Sequence, residues 1–462
     1  MNRTLHLICM LGLWISVQAQ NPCIHHLYTA DPAPVIHEGN DSLYVYCDID
    51  EGGRFFTMNE WRVFSTVDMV NWTDHGSALP LSAFAWAGKN SAWASQCVKR
   101  GDYYYWYVCA QKDKDWKHGI GVARSKKPSG PFTDALGRPL IWTDTGGDID
   151  PTVFIDDDGQ AYLYWGNNKV MYARLNPDMI SYDTSVGDNG WVTVPMTAQS
   201  FGGVKDNDKE KKIIGRDAYE EGPWLSKRDG KYYLSYAAGG VPEHIAYSMS
   251  DSPEGPWLYQ GQVMPLQDTG SFTNHSGVID YKGKSYFVYH TGRLPGGGGF
   301  SRSFAIEEFR YNADGTIPEL KATDAGVPAI ATLSPYIRQQ AETMNCGEHI
   351  KVVGNEATGV YVSDISENSS IRVKNVDFGI KKAKRFLLRY ASDGGRVLLV
   401  IRLDGKDGVE IARMQLGDTN GKLTECSTRI QGKVTGIHDI VFTFEEASEA
   451  GTMKLDWWQF RR

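Results

Sequence analysis

Three carboxylates, Asp31, Asp150 and Glu221, stand at matching places in a chain that repeats itself, and chemistry is expected there. One carboxylic acid can protonate a leaving oxygen while a second carboxylate, across the reacting group, activates water. A third carboxylate beside the acid would raise the acid's pKa by like-charge repulsion and keep it protonated near neutrality. The matching set also contains Trp93, able to stack on the C–H face of a sugar, and His275. With no nucleophilic Ser or Cys in the set, these residues suit cleavage of a glycosidic bond. Carboxylates on opposite sides of a funnel would admit a water between them, which favours inversion.

The match rests on a fivefold repeat of a polar turn followed by a Tyr-rich strand. The copies are NDSLYVYCD (40–48), RGDYYYWYVCA (100–110), DGQAYLYWGN (158–167), DGKYYLSYAA (229–238) and KGKSYFVYHT (282–291). Their tyrosines, Tyr44, Tyr104, Tyr162, Tyr233 and Tyr286, lie roughly sixty residues apart, the length of a four-stranded unit. A second pattern of Gly, Pro, Asn and Asp between apolar residues, as in STVDMVNWTDHG (65–76) and SDSPEGPWLYQG (250–261), supplies further hairpins. Five such units without helices between them predict an all-β, five-bladed propeller. Eleven to thirteen residues before each tyrosine come Asp31, Trp93, Asp150, Glu221 and His275, each opening a strand that would ring the axis. A purely structural ring would use small or apolar residues, because charges packed together are costly.

Composition narrows the partners. The net charge of −8 is spread along the chain, and no basic stripe exists to neutralise nucleic acid. Arg3, the apolar stretch Leu5 to Val17 and the small side chains up to Ala19 read as a cleaved export signal over residues 1–19, too short to span a bilayer. A soluble secreted or periplasmic protein, monomeric and without a membrane span, is the expectation. The seven cysteines show neither a disulfide framework nor metal-ligand spacing.

Residues 22–325 resemble glycoside hydrolase family 43. The resemblance is carried by Ala30-Asp31-Pro32, by Asp148-Ile149-Asp150-Pro151 with Phe154-Ile155-Asp156-Asp157-Asp158-Gly159, and by Glu221-Gly222-Pro223-Trp224. It implies that Asp31 is the general base, Glu221 the general acid, and Asp150 the carboxylate that tunes and orients the acid. It selects Asp150 over Asp148 and Glu221 over Glu220. It further implies a sugar-binding role for Arg302, and contact between His275 and a structural calcium ion on the axis, with no cofactor required for the chemistry. Asp156 to Gly159 lacks calcium-loop spacing and reads as a hairpin turn. The charged run Lys205 to Lys212 reads as a solvated loop.

Residues 336–462 read as short strands with Gly-rich turns, a β-sandwich, and resemble carbohydrate-binding module family 6. Arg338 to Glu342, Val376-Asp377-Phe378-Gly379, His438 to Phe442 and Leu455 to Phe460 carry that resemblance. Tyr361 retains one aromatic of the family's sugar grip, whereas Lys422 and Lys454 replace the second aromatic and an asparagine, and Ser370 stands where an aromatic is frequent. A retained sandwich with a weakened sugar site is expected. Together the resemblances imply an exo-acting enzyme on plant cell-wall polysaccharide, an α-L-arabinofuranosidase on arabinoxylan or arabinan first and a β-D-xylosidase second. A non-catalytic glycan-binding propeller is the alternative of another class. A retaining fructan-cleaving propeller would carry Arg-Asp-Pro where this chain has Ile149-Asp150-Pro151.

Overall fold

The computed structural model describes residues 21–112, 117–144, 146–187, 189–206, 212–448 and 451–462; the expected export signal lies outside them. Four antiparallel sheets of the first domain are β1 (Tyr28–Val35) to β4 (Trp72–Pro80), β5 (Trp93–Arg100) to β8 (Thr133–Asp134), β9 (Thr152–Ile155) to β12 (Val192–Thr193), and β15 (Tyr219–Arg228) to β18 (Leu258–Met264). The hairpin β13 (Val204–Asp206) and β14 (Lys212–Ile214) is inserted before β15. A fifth sheet holds β19 (Gly277–Tyr281), β20 (Lys284–Thr291) and β21 (Ser303–Phe309). The first strands of these sheets neighbour one another cyclically, β1 to β5, β9, β15, β19 and back to β1, which makes a five-bladed propeller with those strands around the axis.

Four strands per blade is the sequence expectation, and the fifth blade departs from it with three. After β21 the chain leaves for the second domain, so the free edge is covered from the other end of the propeller: Cys23 N–H donates to Phe304 O, and Asn21 exchanges side-chain bonds with Ile306. The five repeat tyrosines all fall on the second strands of their blades, where Tyr44, Tyr104, Tyr162, Tyr233 and Tyr286 are buried between sheets.

The second domain is a β-sandwich of two antiparallel sheets with its own apolar core, including Phe386, Phe442, Trp458 and Phe460. It is sewn into the propeller. Thr343–Met344 pairs with Thr73–Trp72 of β4 and becomes the fifth strand of the first blade's sheet. Asn71 and Lys374, Asn345 and Val70, and Arg62 and Val352 add hydrogen bonds across the junction. Trp457 and Trp458 are buried. Tyr361 is half-buried, with the Lys454 ammonium 5.5 Å from its ring centre.

Candidate active site

The register of inner strands β1, β5 and β15 breaks where they reach the hub. In β1 the register slips between Ala30 and Ala33, and in β15 it slips identically between Glu221 and Trp224, so two residues oppose one in each ladder. A left-handed residue followed by proline marks both bulges and recurs just before β9. Asp31 (φ 46°) precedes Pro32, Asp150 (φ 58°) precedes Pro151, and Gly222 (φ 62°) precedes Pro223. For Asp31 and Asp150 that conformation is costly and persists only because the surroundings impose it, as is common at functional sites. Backbone equivalence therefore aligns Asp31 and Asp150 with Gly222, and Glu221 with Ala30. Glu221 thus enters the hub from one backbone position earlier than Asp31 and Asp150 do.

The bends converge on His275. Its Nδ1 lies 3.3 Å from Asp31 Oδ1, and its Nε2 lies 3.7 Å from Asp150 Oδ2 and 3.8 Å from Glu221 Oε1. One imidazole thus spans the gap between Asp31 and Glu221, which caps their nearest oxygens at roughly 9 Å, under the upper limit for a pair that must admit a water. Asp150 also accepts a hydrogen bond from Gly222 N–H at 3.0 Å. A narrow axial cavity of about 20 Å³ lies among Asp31, Asp150, His275, Ser95 and Ser276.

The protonation pattern follows from burial and partners. Burial disfavours the Asp31 carboxylate, but Arg302, His275 and His290 more than offset this and hold its pKa well below the usual range. Asp31 is a charged acceptor. Burial, reinforced by Glu221 and Asp31 against the pull of His275, pushes Asp150 up to about 8. Burial also raises Glu221, yet the His275 imidazole and the Asn167 amide, 2.7 Å from Oε2, bring it below its ordinary value. This differs from the expectation that repulsion keeps Glu221 protonated: the cation between the carboxylates favours ionised Glu221 and leaves the spare proton on Asp150. His275 itself is lowered by burial but raised much further by Asp31, Asp150 and Glu221.

Arg302 is buried rather than open to the pocket. Its Nη1 bonds Asp31 Oδ1 at 3.0 Å, and its backbone and guanidinium hold both oxygens of Asp50. Phe56 covers it, ring centre 5.1 Å from Cζ. Phe56 belongs to an aromatic rim with Phe55, Phe272, Phe300 and Trp93. Trp93 is half-buried, stacked on His118 at 4.3 Å. The rival carboxylates point elsewhere: Asp148 is tied to Thr143 and Trp165, and Glu220 pairs with Lys205. Lys205 is only 11% exposed, which corrects the solvated reading of this residue; 207–211 lie outside the described residues.

Four polar groups of the hub escaped the repeat reading. His290 N–ring contacts Asp31 at 3.2 Å, and Asp50 clamps Arg302. Asp48 is fully buried 3.7 Å from Arg302 with no hydrogen bond to either oxygen, and burial and Asp31 push its pKa well up. Glu243 accepts from Asn274 N–H beside His275. Asp48 and His290 share a signal, since each lies four residues after a repeat tyrosine, at the hub end of the second strand.

Asp150, Glu221 and His275 place one ligand atom each within 4.8 Å of one another. Their charge suits a cation. Ca²⁺, however, takes six to eight ligands, nearly all oxygen, so these residues fill under half of a shell and water must complete it.

A propeller whose inner strands deliver acidic side chains to one axial pocket is the architecture of a glycosidase. The chain belongs to glycosyl hydrolases family 43, whose model matches residues 19–317, and the model of carbohydrate binding module family 6 matches residues 340–462. It is a glycoside hydrolase. It is 32% identical to an arabinoxylan arabinofuranohydrolase of Bacillus subtilis over 95% of this chain and 92% of that protein. A crystal structure of a family 43 arabinoxylan arabinofuranohydrolase from Bacillus subtilis, in complex with cellotetraose, superposes with a TM-score of 0.79 at 29% identity, covering 97% of this chain and 99% of that one. A β-xylosidase/α-arabinofuranosidase from a compost metagenome, in complex with xylotriose and described as a calcium-free form, gives 0.55 at 28% identity over 65% of this chain and 97% of that one.

Proposed function

We propose that the protein is an inverting, exo-acting α-L-arabinofuranosidase that removes arabinose side groups from arabinoxylan or arabinan. Asp31 acts as general base, Glu221 as general acid and Asp150 as the carboxylate that tunes it. The supporting observation is the single imidazole that links three carboxylates from three inner strands, with the base charged and the spare proton beside the acid. A bound sugar displaces water from Glu221, disfavours its charge and draws that proton toward it. Protonation of the leaving oxygen by Glu221 then accompanies attack at the anomeric carbon by water, whose proton passes to Asp31. Arg302 keeps Asp31 ionised and oriented from behind, and Trp93 with the phenylalanine rim offers faces for sugar rings. Calcium enters this reading as a structural charge: His275 would contact the ion and water would complete its shell.

The relatives' names favour arabinofuranosidase over β-xylosidase, which remains the second reading because one similar structure bears both names. Hydrolysis of 4-nitrophenyl α-L-arabinofuranoside and β-D-xylopyranoside by wild type and Glu221→Ala tests the assignment. Faster cleavage of the arabinofuranoside, clearly slowed in the variant, is expected. Equal rates for wild type and variant would remove Glu221 from the mechanism. Proton NMR of the first-formed anomer tests inversion. Export is part of the proposal: full-length protein expressed with its first nineteen residues is expected outside the cytoplasm, with a mature N-terminus near Gln20.

A further inference from the structure

A chain of hydrogen bonds runs from the inserted hairpin to Glu221. Lys205 Nζ donates to Asn168 Oδ1 at 2.6 Å, Asn168 Nδ2 donates to Asn167 Oδ1, and Asn167 Nδ2 donates to Glu221 Oε2 at 2.7 Å. Every donor points toward the carboxyl. An ammonium can only donate and a carboxylate can only accept, so only one orientation of the two amides satisfies the whole chain. Bonds aligned in this sense polarise one another, and the positive end lies at Lys205. The circuit closes on the neighbouring residue, because Lys205 also pairs with Glu220.

The backbone holds this circuit rigid. Asn167 and Asn168 form the turn between β10 (Ala161–Trp165) and β11 (Met171–Leu175). Gly166 N–H bonds Ile149 O, Asn167 N–H bonds Gly147 O, and Asn168 N–H bonds Glu220 O. Tyr219 O–H donates to Gly166 O. Gly166 cannot be replaced without collision, since a Cβ there would lie 1.9 Å from Lys169 O. The turn therefore joins the segment before Asp150 to the strand that carries Glu221, and the side-chain relay is its working end. Lys205 and Glu220 are 11% and 13% exposed, a burial that surface ion pairs do not show.

We propose that Asn167, Asn168 and Lys205 are positioning residues that fix the Glu221 carboxyl for proton delivery to the leaving group, with Glu220 as their anchor. The proposal rests on the reading of Glu221 as the acid. Misplacing an acid harms substrates in proportion to their need for it, so poor leaving groups suffer and good ones barely notice. Loss of general folding or sugar binding would instead affect both alike.

The test compares kcat/KM on the 4-nitrophenyl and unsubstituted phenyl glycosides of the preferred sugar for wild type, Glu221→Ala, Asn167→Ala, Lys205→Met and Lys205→Arg. Glu221→Ala is the control, and a loss on both glycosides that is larger on the phenyl one validates the acid reading. Asn167→Ala and Lys205→Met are then expected to lose roughly 10-fold or more on the phenyl glycoside and under about 3-fold on the nitrophenyl one, with Lys205→Arg recovering most of the loss. Should Asn167→Ala unfold, Lys205→Met carries the test, because its hairpin is outside the blades. Equal losses on both glycosides in the relay variants, beside a leaving-group-dependent Glu221→Ala, would overturn the relay while sparing the acid. A Glu221→Ala without leaving-group dependence would overturn the acid reading itself.

Discussion

Replacing Gly222 by alanine separates backbone strain from chemistry. The residue sits at φ +62°, and a Cβ built there meets His275 Cδ2 at 3.0 Å and Nε2 at 3.2 Å. Holding an L-residue in the left-handed region costs about 1–2 kcal/mol, which should lower Tm by roughly 1–3 °C in a chain of this size. The contact adds a second effect, because the imidazole must retreat by a few tenths of an ångström from the carboxylates that it links. Since about 1 Å of misplacement can cost 100-fold, a retreat of that size is worth roughly 5- to 20-fold in kcat/KM. Gly230 is the matched control. It lies on the next hairpin of the same blade at φ +75° with nothing within 4 Å of its added Cβ. Differential scanning fluorimetry and initial rates on the nitrophenyl arabinofuranoside read the two effects. Both variants are expected to melt earlier, and only Gly222→Ala to lose activity. Wild-type activity in Gly222→Ala, or an equal loss in Gly230→Ala, would refute the central position given to His275.

Other groups give pH-dependent expectations. Burial lifts Glu342, at the domain junction, from its ordinary value of 4.5 to about 9, and its Oε2 has no hydrogen-bond partner. Folded protein keeps the proton that unfolded protein releases above pH 4.5, so stability is full below that pH and erodes as pH rises toward 9. Glu342→Gln should therefore melt like wild type at pH 4 and be more stable at pH 8 by about 1–3 kcal/mol; identical melting at pH 8 would contradict this. Glu356 of the sandwich behaves oppositely. Bonds from His75, then from Lys127 and Ser129 of the propeller, hold it down to about 2 from 4.5. Its contribution to domain docking is present above pH 4.5 and is lost as pH falls through 2. Small-angle scattering should show the two domains loosening over that interval, and less change in Glu356→Gln. In affinity electrophoresis the full-length protein carrying Asp31→Asn is expected to show little retardation by xylan attributable to the sandwich; strong retardation that disappears on Tyr361→Ala would restore a competent site there.

Much of the architecture was readable because one residue type marks one place. A tyrosine opening the second strand recurs in all five blades, and stepping back from it reached Asp31, Asp150 and His275 directly. The same step reached Glu221, as far before Tyr233 as Asp150 is before Tyr162, although the backbone equivalent of Asp150 is Gly222. The physical reason is the bulge: Gly222, lacking a side chain, takes the left-handed position that Asp31 and Asp150 occupy, and the neighbouring glutamate supplies the charge. Arg302 was legible as a residue of the site but not in its orientation, since that depends on Asp50 and Asp31, 252 and 271 positions away. Asn167 and Lys205 carried no periodic signal. They lie in a turn and an insertion, where side-chain meaning comes entirely from tertiary neighbours.

The strand that the sandwich lends to the first blade sets terms for how this enzyme can change. Residues of the sandwich outside that shared ladder can change without touching it, so variation elsewhere leaves the architecture intact. Excising the sandwich is different: it would strip β4 of its neighbour and leave a raw row of peptide donors and acceptors ready to recruit another chain. The sandwich thereby becomes a permanent tenant of the propeller, and truncated versions should be sticky before they are inactive.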